Sequence, residues 1–153
     1  MKKTIQLLMV DDHPFILQAY KNTLERFKAD EYDIVNTDAD SAKTGYHAIV
    51  DSSFEFDVAF LDISIPNYPE KNIESGIDLA LLLREKMPNC KIVLLTMHTE
   101  KLKFKYFADT IQPNGLVVKN DLTFEELLLA FEKIIGGETY YSETVQKMME
   151  EQI

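Results

Sequence analysis

Four apolar runs in this chain each end in a residue able to do polar chemistry. Asp11 and Asp12 follow Ile5 to Val10, Asp62 follows Val58 to Leu61, Thr96 follows Ile92 to Leu95, and Lys119 follows Leu116 to Val118. Taken singly, each is what commonly ends a strand, where a polar side chain caps the next helix or opens a loop. Taken together, their types are complementary. Carboxylates gathered within a few ångströms repel by roughly 1 to 4 kcal/mol per pair at dielectrics between water and a protein surface, so they attract a cation. An all-oxygen donor set favours Mg2+ or Mn2+. Magnesium keeps several waters and takes one or two carboxylates plus phosphate oxygens, which suits an open rim better than a closed calcium cage. A phosphate arriving there would meet the metal, the Thr96 hydroxyl and the Lys119 ammonium, which together neutralise charge on a transferred phosphoryl group. Asp62, central in the set, is the natural nucleophile, and an aspartyl phosphate needs neither histidine nor cysteine.

The elements that must position these residues are legible from pattern. The apolar runs are too short for independent helices and nearly continuous, as strands buried on both faces of a parallel sheet must be. A weaker strand fits Tyr32 to Val35, whose mixed polarity suits a sheet edge. Between the strands lie segments of helical period. Pro14 opens one with Ile16, Ala19, Thr23, Leu24 and Phe27 on its inner face, and others fit Ala42 to Val50, Ile77 to Met87 and Leu102 to Ile111. The last runs from Phe124 to Ile135, with Thr123 and Glu126 spaced as a capping box and Gly136-Gly137 as its stop. Alternating strands and helices with right-handed crossovers predict a flavodoxin-like, doubly wound α/β fold: a five-stranded parallel sheet in the order 2-1-3-4-5 with helices on both faces. Residues just past the C-terminal ends of such strands converge on one edge, where ligands bind.

At 153 residues and 46% hydrophobic, the chain holds one compact core. The predicted division is a domain over 1–137 and a linker or short helix over 138–153 that leads to an output domain. The balance of 16 Lys and Arg against 26 Asp and Glu, net −10, disfavours nucleic-acid binding by this segment itself. Cys90 is the single cysteine, and no apolar run is long enough to span a bilayer, so a cytoplasmic, membrane-free and disulfide-free protein is expected.

The motifs Val10-Asp11-Asp12-His13-Pro14, Phe60-Leu61-Asp62-Ile63-Ser64-Ile65-Pro66, Leu94-Leu95-Thr96-Met97-His98 and Gly115-Leu116-Val117-Val118-Lys119 resemble those of a response-regulator receiver domain, most closely the NarL/LuxR class. The resemblance implies phosphoryl transfer from the phosphohistidine of a sensor histidine kinase to Asp62. It implies a magnesium ion held by Asp12, Asp62 and the backbone carbonyl of Ser64, and by Asp11 through water. Thr96 and Lys119 would bind the phosphoryl oxygens, so the protein would be a phosphoacceptor switch and not a turnover enzyme. The switching surface would be the helices over 102–111 and 124–135 with the strand between them. Family members of this class usually precede a helix-turn-helix domain, so DNA binding is implied only through an output domain that these residues do not contain, and homodimerisation on phosphorylation accords with the resemblance.

Departures from the family pattern are also visible. Leu116 stands where an aromatic switch residue is usual, Asn120 stands where a proline often follows the lysine, and the loop from Pro66 to Gly76 is several residues longer than usual. A magnesium-dependent phosphatase is the rival from another class, but Ser64 occupies the position where it would need a second acid–base carboxylate. A stand-alone or phosphorylation-independent protein-binding receiver is the other alternative, and Leu116 leaves room for it. His13 reads as an exposed position beside the acidic pair, His98 as a neighbour able to influence water access, and Cys90 as a small semi-buried residue. Lys101, Lys103 and Lys105 read as a solvated basic face.

Overall fold

A computed structural model describes residues 2–97 and 110–151. Its strands are β1 (Lys3–Val10), β2 (Tyr32–Ala39), β3 (Val58–Asp62), β4 (Lys91–Thr96), β5 (Gly115–Val118) and β6 (Tyr140–Tyr141). All pair in parallel, in the order β2-β1-β3-β4-β5-β6. The first five keep the expected order, but the sheet has six strands and not five. The addition comes from Tyr140 and Tyr141, which pair with Gly115 and Leu116. Two residues carry no periodicity, so this strand is set by tertiary contacts: Tyr140 N–H donates to the Asn114 carbonyl at 2.9 Å and Ser142 N–H to the Leu116 carbonyl at 3.2 Å.

The described helices are α1 (Pro14–Glu25), α2 (Ala42–Val50), α3 (Gly76–Lys86), α4 (Phe124–Ile135) and α5 (Glu143–Glu151). The helix expected over Leu102 to Ile111 lies largely outside the described residues, as do His98 and the three lysines. Alternate strand residues serve opposite faces. Leu8, Val10, Ala59, Leu61, Ile92, Leu94, Leu116 and Val118 pack with residues of α2 and α3 and with Val145 of α5. Leu7, Met9, Val58, Phe60, Val93, Leu95 and Val117 pack with those of α1 and α4. Two covered faces account for the unbroken apolar runs.

Three local findings bear on the site. Helix α1 turns Leu17, Tyr20 and Leu24 inward; of the expected face Leu24 and Phe27 are buried, while Ile16, Ala19 and Thr23 lie at its half-buried flank beside Leu17 and Tyr20. The long loop folds onto the α2–α3 side: Tyr68 and Ile73 are buried and exchange two backbone hydrogen bonds, and Tyr68 meets the ring of Tyr46 edge to face. Between them a short 3-10 turn at Pro69–Lys71 ends at Asn72, whose φ of 58° lies in the left-handed region that asparagine tolerates. Finally, within 138–153, expected as a linker or short helix, residues 140–151 pack as edge strand and helix on β5, with Val145 fully buried.

Candidate functional site

Strand β1 ends at Val10 because Asp11 and Asp12 turn the chain toward α1. Asp11 N–H still donates to the Ala39 carbonyl at 3.0 Å, which extends the ladder and fixes where its side chain points. His13 caps α1 and Pro14 takes its first position, where a missing N–H costs nothing. Asp62 closes β3 in register with Leu95. The next residue, Ile63, donates to the Leu95 carbonyl and accepts from Gly76 N–H, both at 2.9 Å. That contact requires glycine, since a Cβ on Gly76 would lie 2.1 Å from the Asp62 carbonyl oxygen. Thr96 ends β4 opposite Val118, and Lys119 follows Val118 directly. Parallel register therefore delivers Asp11, Asp62, Thr96 and Lys119 to one edge. All four are buried polar residues, Asp11 at 2% and Asp62 at 1% exposure.

Lys119 joins the two buried aspartates. Its Nζ lies 2.5 Å from Asp11 Oδ2 and 2.9 Å from Asp62 Oδ2. Asp62 Oδ1 accepts from Ser64 N–H at 3.1 Å. Burial pushes the Asp62 carboxyl above its ordinary value, against the opposing pull of Lys119 and the Ser64 amide and with added repulsion from Asp11. Burial pulls the Lys119 ammonium down, but its hydrogen bonds to Asp11 and Asp62 outweigh that and hold it above its ordinary value. Tyr20, on the inner face of α1, is pushed up to about 12 by burial and by the negative charge of Asp11 and Asp62.

Asp11, Asp12, His13 and Asp62 each offer a ligand atom, and these atoms lie within 4.8 Å of one another. His13 Nδ1 is 2.8 Å from Asp11 Oδ1 and 3.1 Å from Asp12 Oδ1. Both Asp11 oxygens are engaged by protein groups: Oδ1 also accepts from His13 N–H at 2.9 Å, and Oδ2 takes Lys119. Asp12 and Asp62 keep lone pairs to spare. With one ammonium set against three carboxylates, the pocket carries an excess of negative charge that a hard divalent cation fits.

Of the residues selected from sequence, Asp11, Asp12, Asp62 and Lys119 come together, with the Ser64 amide on Asp62 and Thr96 at the adjacent strand end. Leu116 is buried between Leu94 of β4 and Tyr141 of β6. Sequence reasoning did not select Gly76 or Tyr20, and it undervalued the contacts of His13. Ser75-Gly76 at the start of a helical period was the available signal for the first, and the helical spacing of Leu17, Tyr20 and Leu24 would have shown the second. Cys90 is fully buried and its thiol is pushed up to about 12 by burial, so it is inert packing.

A doubly wound parallel sheet bearing an acidic pair after its first strand, a buried aspartate closing its central strand and a lysine after its fifth defines a class of α/β domains with a charged pocket at the C-terminal sheet edge. The chain belongs to the response regulator receiver domain family, whose model matches residues 7–131. It is 31% identical over 143 residues to the transcriptional regulatory protein MctR of Rhizobium johnstonii, a match spanning 92% of this chain and 60% of that relative. The fold is also that of the isolated receiver domain of RcsB from Salmonella enterica serovar Typhimurium with the phosphomimetic BeF3−, at a TM-score of 0.77 and 20% identity over 95% of this chain and 98% of that one. It matches a structure of the RcsB–DNA complex at a TM-score of 0.78 and 21% identity, covering 97% of this chain and 68% of that one. No helix among the described residues is long and apolar enough to cross a membrane.

Proposed function

We propose that this chain accepts a phosphoryl group on Asp62 from the phosphohistidine of a sensor histidine kinase and switches its partner surface in response. The observation that carries the reading is the buried Asp62 carboxylate at the end of β3, bonded to Lys119 and flanked by Asp11 and Asp12. An Asp62 oxygen attacks phosphorus as the P–N bond breaks, and the electron pair returns to the kinase imidazole. Lys119 already stands at that oxygen and moves with the incoming charge onto the phosphoryl oxygens, where the Thr96 hydroxyl joins it. Asp12, Asp62 and the Ser64 carbonyl would hold Mg2+, or Mn2+, and Asp11 would hold it through water, an assignment supported by the protein donors already placed on both Asp11 oxygens. When bound there, such an ion would supply neutralisation of charge on the transferred group.

Leu116 supplies bulk but no rotating ring at the usual switch position, so we assign the switch to Thr96, Lys119 and the loops they border. The chain spans 60% of MctR. From the resemblance to the NarL/LuxR class we place it at the N-terminal side of a cytoplasmic transcription regulator that binds DNA through an output domain reached by way of 138–153, and that forms a homodimer when phosphorylated. The deciding measurement is intact mass after incubation with Mg2+ and acetyl phosphate. A single magnesium-dependent phosphoryl adduct, lost in Asp62→Asn, is expected. Its absence under conditions that modify another receiver overturns the reading in favour of a phosphorylation-independent binding module.

A further inference from the structure

The turn that carries Lys119 also holds the C-terminal helix. Lys119–Asp121 is a single 3-10 turn directly after β5. Asp121 Oδ2 accepts from the Thr144 backbone N–H at 3.0 Å, and Oδ1 accepts from the Thr144 hydroxyl at 2.7 Å. Both oxygens therefore serve the first turn of α5, where backbone donors lack intrahelical partners and negative charge is favoured. On the other side of Lys119, Val118 N–H donates to the buried Ser142 hydroxyl at 3.0 Å. Ser142 N–H returns a bond to the Leu116 carbonyl, and Ser142 is 2% exposed. The lysine is thus bracketed: residue 118 before it and residue 121 after it both grip the segment 142–144.

This arrangement leaves little slack. Lys119 Nζ sits at hydrogen-bond distance from Asp62, so a group added to Asp62 displaces it. The displacement enters a turn of three residues whose far end is Asp121. Because Val145 seats α5 in the core on the sheet face shared with Leu116 and Val118, a small movement of the turn acts on a helix that packs in one discrete position. We propose that Asp121 is a positioning residue that couples Lys119 to α5, so that occupation of the Asp62 pocket loosens the first turn of α5, and a docked α5 in return holds Lys119 in its unphosphorylated position. The coupling rests on the reading of Asp62 as phosphoacceptor. Its reciprocity is a thermodynamic requirement for binding free energies.

The test uses the full 153-residue chain with Mg2+ and beryllofluoride. Fluorine NMR reports occupation of the pocket, and amide hydrogen exchange of 143–151 reports the helix. In the wild type, exchange of those amides is expected to accelerate about fivefold or more on saturation, the lower bound of ordinary coupling. In Asp121→Ala and in the milder Thr144→Val, exchange is expected to be fast beforehand and to change less than about twofold, while the bound fluorine resonance persists. Bound fluoride in the wild type with unchanged exchange overturns the coupling and leaves the phosphoacceptor reading standing. Variants that respond like the wild type overturn it too. A wild type with no bound resonance overturns both.

Discussion

At the scale of single residues, the site is a problem in charge compensation. Asp11 and Asp62 share one ammonium, and among the described residues Asp12 has only the imidazole of His13 beside it as a potential cation. A divalent cation relieves the remaining repulsion and binds only the folded arrangement, so it stabilises by mass action. At ten times its dissociation constant the gain is about 1.4 kcal/mol, or about 3 to 6 °C in melting temperature for a chain of this length. Calorimetry with and without Mg2+ should show that rise in the wild type and lose most of it in Asp12→Asn. An equal rise in the variant would place the ion elsewhere. Gly76 supports the same site through backbone geometry. In Gly76→Ala the new Cβ has to push apart the Asp62 carbonyl, at an overpacking cost of about 1 to 3 kcal/mol. Both the urea midpoint and the yield of phosphoryl adduct are expected to fall together, because the displaced backbone is that of Asp62, the proposed phosphoacceptor.

At the scale of elements, the strands and most helices were legible because apolar runs and 3.6-residue spacing are local properties. Ala42 to Val50 came out with the boundaries expected, and Pro14 and Gly136 mark the ends they should. What escaped notice depends on distant partners. Tyr20 was not counted toward the core of α1, yet it is buried and feels the charge of Asp11 and Asp62, so the inner face centres on Leu17, Tyr20 and Leu24. Strand β6 exists because Asn114 and Leu116 offer carbonyls and because the Tyr140 hydroxyl donates to Glu126 at 2.5 Å. Helix α5 is seated by Asp121, whose carboxyl stays below its ordinary 3.8: burial works against this, but bonds from Thr144 and Ser142 outweigh it. A carboxyl depressed in the folded state contributes stability that is complete above its ordinary value and is lost as pH falls through the depressed one. Protection factors for 143–151, corrected for intrinsic exchange, should therefore decline on acidification from about pH 5 toward 3. In Asp121→Ala they should start lower and decline less. A wild type and variant with parallel profiles would remove Asp121 from the docking of α5.

At the scale of the whole molecule, a net charge of −10 keeps the chain away from phosphate backbones, so recognition has to come from shape and apolar surface. One such surface borders the site. Phe15, on the first turn of α1 and three residues past Asp12, is 91% exposed, and below it runs a groove lined by Ala19, Asn22, Thr23, Arg26, Phe124 and Leu128. An aromatic ring left this exposed near Asp12 has no packing role in the isolated domain, and exposed aromatics of this kind are the usual anchors of protein interfaces. On the proposed reading a kinase delivering a phosphohistidine to Asp62 would approach over the edge where α1 begins, whereas acetyl phosphate is small enough to reach the pocket without touching the ring. Phe15→Ala is accordingly expected to slow transfer from a phosphorylated kinase about tenfold, the effect of losing one interface anchor of about 1.4 kcal/mol, with the rate of modification by acetyl phosphate unchanged. The comparison of the two donors in rapid-quench experiments decides the matter. If both rates fall alike, Phe15 acts on the pocket itself, and if neither falls, the kinase reaches Asp62 from another side of the sheet edge.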